Sequence, residues 1–307
     1  LYRHTPAGDF AHHAQARIKW PSHELPHCIW PIAPLFGIFR NCGFPRLVMS
    51  TPSTLVEHFY NRLGLPVQTR LGARIYKKQL LENAELTATD RKWVNEDIDT
   101  LEWRYTLKPA TLAIPRYDDA EREYIEIALL HITLKSPTHS KRLGEVIQRA
   151  IPYPLVLVFE HDGSLAINLA DKRISRGDSS KLTVEQFFDT GWLVPDNLGQ
   201  IEQDFLADFT ASHCSHQHLY AFYQDLIRRV VALESARHTG QYQPSASIAT
   251  DQQRQTYLQT LRELQQRLVS LNAALKTETQ FNRKLEFNLQ IKQLKQQMQQ
   301  LTGQLSG

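Results

Sequence analysis

Apolar positions along this chain follow three different rhythms. In residues 49–200 they fall into short runs separated by Pro, Gly and polar clusters. In 201–237 they recur at intervals of three and four, and from Tyr257 onward they repeat as heptads. The first rhythm predicts a mixture of short helices and strands, the second a helical segment, and the third a coiled coil or a helical hairpin.

Within the first region, "STPSTLVEHFYNRLGL" opens on capping residues and spaces Leu55, Phe59 and Leu63 four apart, which predicts an amphipathic helix closed by Gly64. The segment "TATDRKWVNEDIDTL" (87–101) offers Thr87 or Thr89 as an N-cap and sets Trp93, Val94, Ile98 and Leu101 on one face, which predicts a second helix. Strands are expected at 102–107, 111–114 and 123–134, bounded by Pro109, Pro115 and Pro137. "SKRLGEVIQRAI" (140–151) reads as a helix stopped by Pro152. The run "YPLVLVFEHDGSLAINLADKRI" then reads as a β-hairpin turning at "HDGS". A short helix is expected at 183–189 inside a surface connection, and 238–251 has the composition of a linker. The whole predicts an α+β domain over 49–237, with a mostly antiparallel sheet and flanking helices.

The tail, 252–307, carries Leu261, Leu264, Leu268, Leu271 and Leu275 in heptad spacing, then Phe287, Ile291, Leu294, Met298, Leu301 and Leu305 in the same spacing. Continuing the first register would place apolar residues at 278, 282, 285 and 289, so the seam shifts by two residues inside "KTETQFNRKLEFNLQIKQLK". Two arrangements satisfy the shift: one long helix with a phase change, or a hairpin bending between Thr277 and Gln280. Folding back buries both stripes within one chain and is the favoured arrangement. Gln280, Phe281, Asn282, Arg283, Lys284 and Asn288 surround the break and are the candidate partner-binding residues. A purely structural account has Phe281 filling the closed end and Asn282 capping the second helix. The same heptads would serve an oligomer equally well.

Charge sharpens this division. The formal net charge of +3 separates into +3 over residues 1–48, −5 over 49–251 and +5 over 252–307, so an acidic body carries a basic tail. The first Met is Met49, and the His- and Pro-rich stretch before it sustains no periodicity, so residues 1–48 are expected to be an over-extended start or a disordered leader. Three cysteines, Cys28, Cys42 and Cys214, are too few and too scattered for a disulfide framework, which points to a reducing, cytoplasmic setting. No apolar stretch approaches the length of a membrane span.

The chain lacks a P-loop, a dinucleotide fingerprint, a nucleophile elbow and an HExxH motif, so no cofactor is expected. "SHCSHQH" (His213, Cys214, His216, His218) resembles a metal site, but without a second ligand cluster it reads as surface histidines at a loop-to-helix junction, and no metal is expected. A divergent metal-dependent nuclease would draw on Asp119, Glu126, Lys135 and Glu160. The residue two before the lysine, where a restriction-type nuclease needs an acid, is Thr133.

The segments "ARIYKKQL" (73–80), "LEWRYTLKPATLAI" (101–114), "AIPYPLVLVFE" (150–160) and "QFNRKLEFN" (280–288) occur in the order found in an uncharacterised bacterial family, domain of unknown function 4391. The chain resembles that family over roughly residues 50–305. The resemblance implies a genomic context of helicases and DNA methyltransferases in restriction-like, phage-defence clusters, and no catalytic residues. The expected function is therefore a non-catalytic accessory or adaptor protein acting with a helicase or DNA methyltransferase, with a nuclease or a DNA-binding protein as alternatives. Nucleic acid is a secondary candidate partner.

Overall fold

The computed structural model describes residues 54–83, 86–175, 177, 182–245 and 248–305; the leader expected at 1–48 lies outside them. Helix α1 (Leu55–Leu63) begins with a capping box: Thr54 Oγ1 accepts from the Glu57 N–H at 3.2 Å, and Glu57 Oε2 accepts from the Thr54 N–H at 3.1 Å. It ends at Gly64 in the left-handed region, φ 66°, as its sequence predicts. The chain then forms β1 (Arg70–Arg74), α2 (Lys77–Asn83), α3 (Ala88–Glu96), β2 (Ile98–Leu107) and the one-turn helix α4 (Pro109–Leu112). A small ribbon follows, β3 (Tyr117–Asp118) with β4 (Glu123–Tyr124), then β5 (Ile127–Leu134), α5 (Ser140–Ala150), β6 (Leu155–His161), β7 (Ser164–Ile174) and β8 (Leu182–Asp189). The helices α6 (Gln200–Asp208), α7 (Leu219–Thr239), α8 (Ile248–Thr277) and α9 (Phe281–Leu305) complete the chain.

Six strands form one sheet in the order β1-β2-β5-β6-β7-β8, antiparallel except for the parallel pair β5/β6. A parallel pair needs a crossover, and α5 supplies it. Helices α2, α3 and α5 pack together on one side of the sheet, while α1, α6 and α7 cover the other. Ile127, Leu129, Val156, Val158, Leu165, Ile167 and Leu169 alternate along their strands and share one core with Phe59, Phe205, Phe209, Phe222 and Tyr223. Tyr223 ties α7 to the sheet: its hydroxyl donates to Leu155 O at 2.7 Å and accepts from the Ala170 N–H at 3.1 Å.

The hairpin at "HDGS" forms as predicted, with Asp162 (φ 46°) and Gly163 (φ 75°) both left-handed between the closing pair His161 and Ser164. Several local readings are corrected. Residues 111–114 are not a strand: Pro109 sits in the first turn of α4, where its missing N–H costs nothing, and Ala113 ends that turn at φ 56°. Residues 183–189 are not a helix but the edge strand β8, because pairing with β7 decides between two conformations that "LTVEQFFD" allows equally. The helix at 87–101 stops at Glu96, so Ile98 and Leu101 are core positions of β2. The strand at 123–134 is interrupted after Tyr124, its first part pairing with β3 instead. The helical pattern at 201–237 divides into α6 and α7, and the expected linker begins inside α7 and ends inside α8.

The tail is a hairpin. Helices α8 and α9 fold back on each other across residues 278–280, and Leu258, Leu261 and Leu305 join the core of the body at its base. Arg262 clamps the base through a two-point ion pair with Glu234 of α7.

The α5 side of the sheet is held by a buried polar network. Gln148 Nε2 donates to Leu155 O (3.2 Å) and to Asn168 Oδ1 (3.3 Å), and Asn168 Nδ2 donates to Asp189 Oδ2 (3.4 Å). Gly144 leaves room for Asn168, since a Cβ there would stand 3.0 Å from the amide. Gly144→Ala is expected to lower stability by about 1–3 kcal/mol despite its better helix propensity, because the crowded amide is pinned from both sides. Urea denaturation checks this, and an unchanged or raised midpoint would show that the network yields.

Candidate functional site

Along β5, the side chains facing α1 change character midway. Ile127 and Leu129 are apolar, but the next two on that face are His131 and Thr133. The strands on either side change with them. Glu102 of β2 stands opposite His131, Glu160 of β6 stands beside Thr133, and the Thr100 hydroxyl donates to that of Thr133 at 3.0 Å. The result is a polar strip on an otherwise apolar sheet face, at the carboxyl ends of the parallel pair.

A bulge in β2 adds the strip's cation. The register slips between Trp103 and Tyr105, so Arg104 is an extra residue there. Arg104 and Tyr105 thereby both approach the Tyr60 ring of α1: the guanidinium lies 3.9 Å from its centroid and the Tyr105 ring 5.9 Å. Arg104 also faces Glu102 at 3.9 Å, and its Nε is buried without a partner.

At the centre is a three-residue relay. Tyr60 Oη lies 2.8 Å from His131 Nδ1, and His131 Nε2 lies 2.9 Å from Glu160. Burial, aided by the Arg104 charge, lowers His131 to about 4, so the imidazole is neutral at neutral pH. A neutral ring carries one N–H, and the carboxylate can only accept, so Nε2 donates to Glu160 and Nδ1 accepts from the Tyr60 hydroxyl. Burial raises Tyr60 well above its ordinary value and keeps it protonated. Burial is also the main cause of a raised Glu160; Glu57 adds to it and Arg104 opposes it. Glu160 is the open end of the relay, its side chain 29% exposed against 9% for His131. A proton accepted by Glu160 would face a hydrogen-bonded, uncharged chain behind it, an arrangement suited to acid–base chemistry or to orienting a polar group.

Of the residues singled out for a nuclease, Glu160 alone belongs to this strip. Asp119 organises the β3–β4 turn, its Oδ1 accepting from the Glu121 and Arg122 N–H groups at 2.8 and 2.7 Å and its Oδ2 from Tyr117 Oη at 2.5 Å. Glu126 pairs with Lys108 at 3.0 Å, and Lys135 lies 4.0 Å from Asp99. Glu126 and Lys135 flank opposite ends of β5, about 30 Å apart at strand rise. In "SHCSHQH", Cys214 is buried, His213 contacts Asp208 at 2.8 Å, and His218 caps α7. Among the described residues no cluster of three or more His, Cys, Asp or Glu could hold a metal ion. Tyr60, Glu102, Arg104 and His131 were not singled out from the sequence. The one visible signal was titratable side chains at 102, 104 and 131 within strands that otherwise supply core residues.

The partner-binding candidates cluster at the closed end of the α8–α9 hairpin. Glu278 Oε1 accepts from the Thr279 and Gln280 N–H groups at 2.8 and 2.9 Å, and Arg283 lies 3.7 Å from the same carboxylate. Neither part of the purely structural account holds: Phe281 is 74% exposed, and Asn282 lies within α9 while Glu278 secures its entry. Asn288 Nδ2 donates back to Lys284 O at 2.9 Å.

These features define an α+β protein with helices on both faces of a six-stranded sheet and a helical hairpin joined to one of them. The chain belongs to the family described as Domain of unknown function (DUF4391), whose model matches residues 63–298, from the end of α1 into α9. Comparison with curated proteins and with solved structures finds no match. Among the described residues no helix is long and apolar enough to cross a membrane.

The relay makes stability pH-dependent. A histidine whose folded pKa is depressed stabilises the fold above its unfolded value near 6.5, and that contribution is lost as pH falls from there towards 4. The full shift corresponds to about 3 kcal/mol. His131→Gln is expected to flatten the stability profile between pH 6.5 and 4 relative to the parent. Thermal melts across that range check it, and parallel profiles for the two proteins would remove His131 as the cause.

Proposed function

We propose that this protein is a non-catalytic adaptor of a restriction-like, phage-defence system, docking a helicase or DNA methyltransferase on the α8–α9 hairpin. One observation carries the reading. Phe281, Leu285 and Leu289 recur every four residues on α9 and are 74%, 55% and 60% exposed. They lie two residues out of phase with Phe287 and Ile291, about 200° round the helix from the seam with α8. The two-residue shift in the heptads thus corresponds to two stripes, one facing α8 and one facing outward. An unpaired apolar stripe of this kind fits a groove in a partner, in the manner of an amphipathic helix.

Charge narrows the partner surface. Residues 276–292 hold Lys276, Arg283, Lys284 and Lys292 against Glu278 and Glu286, so the stripe is flanked by net positive charge and suits an apolar groove with an acidic rim. No residue from 262 to 290 is buried, which leaves about 24 Å of the α8 arm clear of the core. The helicase or methyltransferase identity follows from the family context rather than from these residues.

Removing residues 252–307 would also strip Leu258, Leu261 and Leu305 from the core, so point variants give the cleaner test. Phe281→Ser, Leu285→Ser and Leu289→Ser combined are expected to leave the melting temperature within a few degrees of the parent. The same variant should reduce co-purification of a helicase or methyltransferase from the native host at least tenfold. Recovery of that partner by both proteins alike, or by neither, would end the adaptor reading.

A second reading is the divergent metal-dependent nuclease, of whose candidate residues only Glu160 stands beside the relay. It requires divalent-metal-dependent cleavage of DNA by the isolated protein, reduced at least a hundredfold by Glu160→Gln. Equal activity in the two proteins would exclude that residue.

A further inference from the structure

We propose that the cleft bounded by the β3–β4 ribbon, β7 and the first turns of α7 and α8 is a binding site for an amino-bearing nucleobase. Its volume of about 460 Å³ falls within the range of small-molecule sites. One wall is aromatic. His218 and Tyr220 lie side by side with ring planes 7° apart and centroids at 6.2 Å, and Tyr117 lies across both at 4.5 and 5.1 Å. The wall is fixed from behind: His218 Nδ1 accepts from the Ala221 N–H at 3.0 Å, and Asp119 holds the Tyr117 hydroxyl.

Asp171 of β7 supplies the polar floor. Its Oδ1 accepts from Arg122 Nη1 (3.1 Å), Tyr124 Oη (3.3 Å) and Gln224 Nε2 (3.3 Å), while Oδ2 has no partner among the described residues. Burial raises this carboxyl above its ordinary value, with Arg122 opposing the rise and Glu185 adding to it. On the α8 side, the amides of Gln252 and Gln255 line the cleft and likewise have no partner among the described residues.

The charges select the ligand. Arg122 is held by Asp171 and Glu185, and Arg228 by Asp225 and Asp251 at 2.6 Å each. The lining therefore totals three aspartates against two arginines, with both cations engaged, and offers nothing to a phosphate. Its apolar side chains, Phe188, Ala221 and Ile227, are too few for a lipid. A flat, uncharged group that stacks on tyrosine and presents N–H to a carboxylate satisfies every wall. Adenine, cytosine and guanine carry such an amino edge, whereas thymine flanks its single N–H with carbonyl oxygens that Asp171 repels. The base could come from a free nucleoside or from an unpaired strand, where stacking is the common mode of capture.

The full chain is titrated by calorimetry with adenosine, cytidine, thymidine, adenosine 5′-monophosphate and the hexamer d(A)6. Adenosine and cytidine are expected to bind at least tenfold more tightly than thymidine, and the monophosphate more weakly than adenosine. Asp171→Asn should weaken adenosine at least tenfold. The Gln252→Ala, Gln255→Ala pair, on the surface of α8, should weaken it at least threefold without loss of fold. Tighter binding of d(A)6 than adenosine assigns the base to a strand, and the reverse assigns it to a nucleoside. No heat from either adenosine or d(A)6 at millimolar ligand, equal affinity for adenosine and thymidine, or parent-like binding by both folded variants would overturn the site. The outcome is separate from that of the docking arm, which shares none of these residues.

Discussion

The parallel pairing of β5 with β6 is the constraint on which the rest of the molecule depends. Two parallel neighbours cannot be joined by a tight turn, so the chain must cross one face of the sheet, and α5 occupies that face. The pairing also brings the carboxyl ends of both strands to the same edge of the molecule. His131 and Glu160 meet there because Thr133 is in register with Glu160 and shares a face with His131. A one-residue slip would turn His131 and Thr133 to the α5 side and bring Ile132 under Tyr60. The crossover, the core and the relay are thus consequences of one register.

Burying a polar strip within a sheet face is costly unless each group finds a partner. Here the relay satisfies both nitrogens of His131, and the β2 bulge delivers Arg104 to the face of Tyr60. The imidazole stays neutral because desolvation and the neighbouring guanidinium both oppose its charging. Neutrality in turn selects the tautomer that can donate to Glu160. Among the described residues at this site only Arg104 Nε remains buried and unpaired, beside the partly exposed Glu102 and Glu160. Departures from full satisfaction inside a folded domain are concentrated where function is found.

Much of the architecture was legible in the residues. The capping box at Thr54, the type I′ turn at Asp162-Gly163 and the hairpin bend at 278–280 each rest on interactions spanning a few positions, so local chemistry suffices to foresee them. Two of the errors share one cause. "LTVEQFFD" suits a helix or a strand, and the neighbour β7 chooses; Ile98 and Leu101 fit one helical face, yet β5 draws them into the sheet. Of the nuclease candidates, Glu160 reaches the polar strip through the register of β6, whereas Asp119, Glu126 and Lys135 lie elsewhere, because nearness in the chain does not measure distance across a sheet.

The sequence by itself determined the α+β class and the basic, heptad-bearing tail, because periodicity and charge are properties of successive residues. It also determined that the heptads shift by two, which is why α9 carries two apolar stripes. Only the tertiary structure decided which of them is covered, since that depends on where α8 folds back. The same holds for the relay and the cleft. Tyr60 and His131 are 71 positions apart, and Tyr117 and Tyr220 more than a hundred. Their meeting is set by strand register and helix packing, which no local pattern encodes.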